Sequence, residues 1–197
     1  NGILMVCDEV QSGWARSGKM FASQYFADAG CAPDIMTTAK SIAAGLPISA
    51  VTARKEIMDA VTPGTIGGTF GANAVSAAAA LKVIEIIERD DYCGKAMAIS
   101  EKVTAKANEW VEKYDVVGNV RGMGAMMGIE FVTDKETKTP NAAIVSAIVQ
   151  EAMNNGLMLE AAGTYGNVIR FLCPLVVTDE QLEAGLAIFE EAIEACK

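Results

Sequence analysis

Two side chains in this 197-residue sequence could act together on one ligand. Asp8 stands in Asp8-Glu9-Val10-Gln11, directly after the apolar run 3–7, and Lys40 stands in Thr37-Thr38-Ala39-Lys40-Ser41, directly after a second β-prone run. Neighbouring strand ends would deliver the carboxylate and the amine from opposite sides. The sequence around Lys40 is small and apolar, with Ala39, Ile42, Ala43 and Ala44 and no adjacent acid. Desolvation disfavours an ammonium, and carbonyl chemistry requires a neutral amine. Standing alone, the same letters also read as an Asp capping a turn and a Lys reaching for solvent.

Composition narrows the remaining chemistry. There is no histidine, which removes imidazole-dependent triads and the usual zinc and iron sites, so any acid or base is Lys, Asp, Glu, Tyr or Cys. The five cysteines are scattered without a CxxC pair, so no metal site is expected and a reducing cytoplasm fits. With 16 Lys+Arg against 25 Asp+Glu the formal charge is -9, an unsuitable balance for nucleic acid. No apolar run approaches the roughly 18 residues of a membrane helix, so no membrane partner is expected. The opening Asn1-Gly2 lacks a methionine and runs straight into an apolar strand, which reads as a cut inside a longer protein.

The elements that must position these groups follow from periodicity and punctuation. Residues 3–7 form a continuous apolar run, the pattern of a parallel strand buried on both faces, with polar groups at its carboxyl end. Further strands are expected at 35–38 and 48–53. Helices are expected at 19–29, 56–61, 73–89 (long and well buried) and 92–114. A glycine-rich loop, 63–71, lies among them. Beyond it, 116–121 and 126–132 read as paired strands, 141–154 as an amphipathic helix, 157–160 and 168–173 as strands, and 178–196 as a last helix begun by Thr178 or Asp179. This is an α/β protein with a boundary near Tyr92, a parallel-sheet portion at 1–92 and a smaller α+β domain at 93–197. The string Gly122-Met123-Gly124-Ala125-Met126-Met127-Gly128 imitates a dinucleotide fingerprint, but strand-like residues flank both sides and it reads as close packing in a hairpin. The ten methionines read as adaptable core filler.

Taken in order, residues 3–13 with Asp8-Glu9-Val10-Gln11-Ser12-Gly13, then Pro33-Asp34, Lys40-Ser41-Ile42-Ala43-Ala44-Gly45-Leu46-Pro47 and Gly67-Gly68-Thr69-Phe70 closely resemble the class III, or omega, aminotransferases. Further on, Gly163-Thr164-Tyr165-Gly166-Asn167-Val168-Ile169-Arg170 resembles their 4-aminobutyrate branch. The likeness runs over nearly the whole chain and covers the C-terminal half of that family. It implies a fold type I transferase using pyridoxal 5'-phosphate (PLP), with 1–92 the end of the large cofactor-binding domain and 93–197 the small C-terminal domain.

Residue roles follow from the resemblance. Lys40 matches the lysine that condenses with the cofactor aldehyde and then carries the proton between substrate and cofactor carbons. Asp8 matches the carboxylate that keeps the pyridine nitrogen protonated. Val10 matches a residue packed on the ring face, and Gln11 one that bonds near the phenolic oxygen. Thr69 matches the residue reaching across a homodimer to the neighbour's cofactor phosphate. Arg170 matches the two-pronged clamp for a substrate carboxylate, and its apolar surroundings independently call for a ligand or an internal acid.

The implied reaction is transfer of an amino group from an omega-amino acid, 4-aminobutyrate foremost, to a 2-oxo acid such as 2-oxoglutarate. Two alternatives stay open: a catalytically incomplete fragment of such an enzyme, and another class III enzyme such as an ornithine or acetylornithine aminotransferase or an aminomutase.

Overall fold

The computed structural model describes every residue except Asn1, Asp28, Ile66, Phe70 and Ala72. Phe70 of the resemblance string and Ile66 of the glycine-rich loop therefore lie outside the described residues. The chain divides into two compact units, Asn1–Gly94 and Lys95–Lys197.

In the first unit, β1 (Val6–Asp8) pairs in parallel with β2 (Ile35–Thr38), Asp8 opposite Thr37, and β2 pairs antiparallel with β3 (Ala50–Ala53). The antiparallel return adds a strand of opposite sense to the parallel pair. Between β2 and β3 the chain makes only a single 3-10 turn, Lys40–Ala43, which is too short for the crossover a parallel return requires. Asp34 ties the start of the sheet together. Its carboxylate accepts from Met5 N–H at 2.7 Å and pairs with Arg54 at 2.9 Å.

The helices of this unit are α1 (Gln24–Ala27), α2 (Lys55–Asp59) and α3 (Ala74–Arg89). The helix expected over 19–29 contracts to α1, because residues 19–23 are spent in turns. Two expectations of burial fail. Residues 3–7 do not form a strand covered on both faces: Ile3 is 83% and Val6 58% exposed, and β1 is paired along one edge only among the described residues. In α3 only Ser76, Ala80 and Ile87 are buried, while Leu81 is 71% exposed, because the helix packs mainly on the small 3-10 turn. Its start is local chemistry. Asn73 Oδ1 accepts from Val75 and Ser76 N–H, each at 3.0 Å, satisfying two of the amides a helix start leaves without partners.

The second unit holds the larger core. After α4 (Tyr92–Lys113) come β4 (Val117–Met123), β5 (Met126–Asp134), β6 (Thr139–Pro140), α5 (Ala142–Asn154), β7 (Glu160–Ala162), β8 (Val168–Phe171) and α6 (Asp179–Cys196). The sheet runs β4-β5-β8-β7 with β6 on β5, all antiparallel. The apolar sides of α4, α5 and α6 cover one face of it. Trp110, Phe131, Ile148, Ile169, Phe189 and Ile193 are fully buried there, with Trp110 and Phe189 edge-on at 5.0 Å.

The glycine string forms the β4–β5 turn, and a Cβ on Gly122 would stand 2.2 Å from the Met126 carbonyl oxygen. Thr178 and Gln181 form a reciprocal capping box at α6. The methionines differ from expectation: Met127 is buried, whereas Met153, near the end of α5, and Met158, in the segment before β7, are 55% and 90% exposed.

Candidate functional site

Parallel pairing of β1 with β2 sets the carboxyl ends of both strands side by side. Asp8 is the last residue of β1, and Lys40 opens the 3-10 turn that follows β2. Asp8 Oδ1 accepts from Val10 N–H at 3.0 Å and from Thr37 Oγ1 at 3.2 Å. Its other oxygen takes no hydrogen bond among the described residues and the side chain is exposed, an arrangement suited to a cationic N–H partner.

Lys40 has φ +53°, an uncommon conformation for a residue with a side chain, imposed between buried Thr38 and buried Ile42 and Ala43. Such strain is held only where surroundings fix it. The lysine itself is exposed and has no hydrogen-bond or ion-pair partner among the described residues. The desolvated setting foreseen for it is therefore absent in this chain. Its apolar sequence neighbours Ile42 and Ala43 turn inward while the amine turns out.

Val10 is half-buried, and Gln11 is exposed just beyond it. Thr69 lies exposed in the loop, where Gly71 N–H donates to Gly68 O at 2.9 Å across it, and neither Gly67 nor Gly68 has an atom within 4 Å of where a Cβ would stand. Such an open glycine turn leaves room for a large anion. Asp8, Val10, Gln11, Lys40 and Thr69 all belong to the first unit, and Arg170 belongs to the second.

Arg170 projects from β8 between buried Ile169 and Phe171 and stands directly opposite Glu160 of β7, with which it forms an ion pair. On its other side the opposite residue is Gly128 of β5, which carries no side chain to cover it. Arg170 and Glu160 border a cavity of about 500 Å³ walled by Leu157, Leu159, Phe171 and Cys173. The Gly163–Gly166 turn is followed by Asn167, only 2% exposed, whose amide donates to Phe131 O at 3.0 Å and Glu130 Oε1 at 3.3 Å.

Two acids escaped the reading of the sequence. In the sequence Glu160 is only the end of a strand run, and its register with Arg170 is a long-range fact. Glu9 follows Asp8 in a motif that gives it no role, yet it is 2% exposed. Burial works against its charge, but hydrogen bonds from Ser12, Ser23 and Ala22 win and hold its carboxyl below the usual range. Strand alternation was the available signal: with Asp8 facing out, its neighbour must face in.

Among the described residues no group of acids and cysteines could hold a metal ion, and no helix is long and apolar enough to cross a membrane.

Comparison with known proteins gives a consistent picture. The family model for class-III aminotransferases matches residues 1–193. The 5-aminovalerate aminotransferase DavT of Pseudomonas putida is 46% identical over 191 residues, which cover 97% of this chain and 44% of that protein. The 4-aminobutyrate aminotransferase GabT of Escherichia coli is 41% identical over 197 residues, 100% of this chain and 46% of that protein. Among solved structures, an amine transaminase from an uncultivated Pseudomonas species in its PLP-bound form superposes with a TM-score of 0.89 at 34% identity, covering all of this chain and 45% of that one. A Bacillus anthracis aminotransferase superposes with 0.88 at 31% identity, covering 98% and 45%. The chain thus spans less than half the length of the relatives it matches.

Proposed function

The chain belongs to the class-III aminotransferases and has the fold of PLP-dependent transaminases; from that premise we propose that it supplies one half of a PLP-dependent site that moves an amino group from an omega-amino acid to a 2-oxo acid. The cofactor, when bound, supplies an electron sink that makes a proton on the substrate's amine-bearing carbon removable. In this reading Lys40 Nζ binds the cofactor and shuttles that proton, and Asp8 holds a proton on the ring nitrogen. Val10 and Gln11 orient the ring, Thr69 binds phosphate across a homodimer, and Arg170 binds the substrate carboxylate. 4-Aminobutyrate or 5-aminovalerate is the proposed donor, in line with the named relatives. 2-Oxoglutarate is the proposed acceptor, and the cytoplasm the proposed compartment.

The observation that supports this reading most is the parallel β1–β2 pair, which brings an outward-facing carboxylate and an amine to adjoining strand ends. The donor set suits the cofactor: one oxygen of Asp8 is anchored by Val10 and Thr37 and the other faces out. A second reading, that the 197-residue chain by itself is catalytically incomplete, draws on the exposure of both Asp8 and Lys40. A site open to water loses the low dielectric that strengthens its charges.

Mixing the purified chain with PLP tests both. A yellow band that borohydride bleaches, absent in Lys40→Ala, supports the assignment of Lys40, and an unchanged band in that variant removes it. Turnover by the chain alone with 4-aminobutyrate and 2-oxoglutarate would dismiss the second reading.

A further inference from the structure

Glu9 is among the most deeply buried acids of the chain, and no step assigned above uses it. Its carboxylate accepts three hydrogen bonds: Ser12 Oγ to Oε2 at 2.5 Å, Ala22 N–H to Oε2 at 3.0 Å and Ser23 N–H to Oε1 at 2.5 Å. Its backbone is held as well. The Glu9 N–H donates to Thr37 O at 2.9 Å, extending the β1–β2 ladder by one residue, and the Glu9 carbonyl accepts from Gly13 N–H at 3.0 Å. Gly13 is a close approach, since a Cβ there would stand 2.8 Å from that carbonyl oxygen. Every hydrogen-bonding group of Glu9 is therefore engaged, by three segments, 12–13, 22–23 and Thr37, that are distant or turned back on the strand.

The consequence lies one peptide further on. The N–H that anchors Asp8 Oδ1 belongs to Val10, so it is part of the Glu9–Val10 peptide plane. A peptide plane is rigid, so the Gly13 bond to the Glu9 carbonyl, with the Glu9 side chain held on the inner side of β1, sets the direction of the Val10 N–H on the outer side, where Asp8 points. We infer that Glu9 is a positioning residue: its buried, triply hydrogen-bonded carboxylate orients the Glu9–Val10 peptide and, through the Val10 N–H, sets the carboxylate of Asp8. This rests on the reading of Asp8 as a cofactor ligand only for its functional consequence; the orientation itself is a property of the chain.

The test begins with the cofactor-free 197-residue chain. Glu9→Gln keeps the shape and offers one acceptor in place of two, so Ser23 or the Ser12–Ala22 pair meets an amide N–H₂ instead of oxygen. Amide exchange of Val10 is expected to accelerate about tenfold, while amides of β2 and β3 and of Ile129 in the second unit keep their protection. Ser12→Ala, which removes one of the three donors and leaves the charge, is expected to move Val10 in the same direction by less. Glu9→Asp keeps the charge but falls one methylene short, and is expected to resemble Glu9→Gln. If Val10 is unmoved in Glu9→Gln, or if β2 and β3 loosen alongside it, the inference is overturned, because Glu9 is then inert or merely structural. Should Glu9→Gln not fold, Ser12→Ala decides alone by the same comparison.

Addition of PLP separates the two levels. With Val10 loosened, the yellow band is expected to need about tenfold more cofactor in Glu9→Gln. A wild-type chain that never forms the band refutes the cofactor reading and leaves the exchange result standing. A band of unchanged affinity in Glu9→Gln refutes the transmission from Glu9 to the ligand.

Discussion

Glu160 and Arg170 face each other directly across β7 and β8, so the guanidinium assigned to a substrate carboxylate already holds a carboxylate of its own chain. The pair is lopsided in exposure, 64% for Glu160 against 24% for Arg170. An acid that wet contributes at most about 1 kcal/mol to an ion pair. A competing carboxylate therefore has little to overcome at Arg170.

This sets opposite expectations for the two partners in a full-length enzyme containing this chain. Glu160→Gln removes the competitor and should lower KM for 4-aminobutyrate by roughly two- to fivefold, the equivalent of up to about 1 kcal/mol. Arg170→Ala should raise KM for carboxylate-bearing donors and leave amines without a carboxylate unaffected. Steady-state kinetics on one substrate of each kind checks both. A Glu160→Gln effect shared equally by the two substrates would mean that the pair is structural.

The pH dependence of the second unit should come from a cluster joining α4 to α6. Tyr114 Oη donates to Glu194 at 2.6 Å and Glu190 at 3.2 Å, while Lys113 and Lys106 reach Glu190 at 2.9 and 2.8 Å. Burial opposes the charge on Glu190, but Lys106 and Lys113 outweigh it and bring its pKa to about 2; Lys197, Tyr114 and Lys113 bring Glu194 to about 2. Desolvation first, then its bond to Glu194, raises Tyr114 to about 12. Depressed carboxylates stabilise above their unfolded value of 4.5, and that contribution drains away as pH falls toward 2. A raised phenol stabilises below its unfolded value of 10, and its contribution is lost as pH climbs through 12. Denaturant midpoints followed by Trp110 fluorescence in a Trp14→Phe background should hold level between these arms. Glu190→Gln should flatten the acid arm, and an unaltered acid arm would mean that other carboxylates control it.

What could be read from the letters and what could not divide along the range of the interactions. Asn73, Asn141 and the Thr178–Gln181 box mark helix starts because each cap bonds an amide two or three residues away. The β4–β5 hairpin was equally plain, its glycines admitting a turn that other residues resist. Burial was harder to read. Residues 3–7 and Leu81 look like core in the sequence, yet burial depends on a covering surface that no local pattern specifies. The same limit hid Glu9, whose partners Ala22 and Ser23 come from a distant turn, and Glu160, whose register with Arg170 is set by a β7–β8 pairing. The motif carrying Asp8 and Lys40 was visible; the exposure of both side chains was not.

Two glycines in the second unit separate backbone strain from steric conflict. Gly156 has φ +89° with no atom within 4 Å of a would-be Cβ, so Gly156→Ala carries the conformational cost alone, about 1 kcal/mol. Gly122 has φ +150°, and its Cβ would meet Met126 O at 2.2 Å and Met127 Cα at 2.7 Å, both backbone atoms that cannot swing away. Gly122→Ala should therefore cost about 3 kcal/mol or more and open the hairpin. Equal denaturation midpoints for the two variants would show that the β4–β5 turn relaxes at little cost.

The free edge of β1 should govern how this chain behaves in solution. Ile3, Leu4, Met5 and Val6 are 83%, 50%, 39% and 58% exposed, and β1 is hydrogen-bonded to a described strand on one side only. An apolar strand with an open row of N–H and C=O groups is a template for pairing with another chain. The formal charge of -9 slows such encounters at low salt, and screening shortens that repulsion to about 8 Å at physiological ionic strength. Light scattering should therefore show association that grows with salt. Val6→Lys places a charge on the exposed strand at a side chain that is already mostly in solvent and should return the chain toward monomer. A dilution-resistant monomer at all salt concentrations would mean that this edge is protected, and a Val6→Lys variant that associates as strongly as the wild type would move the contact to another surface.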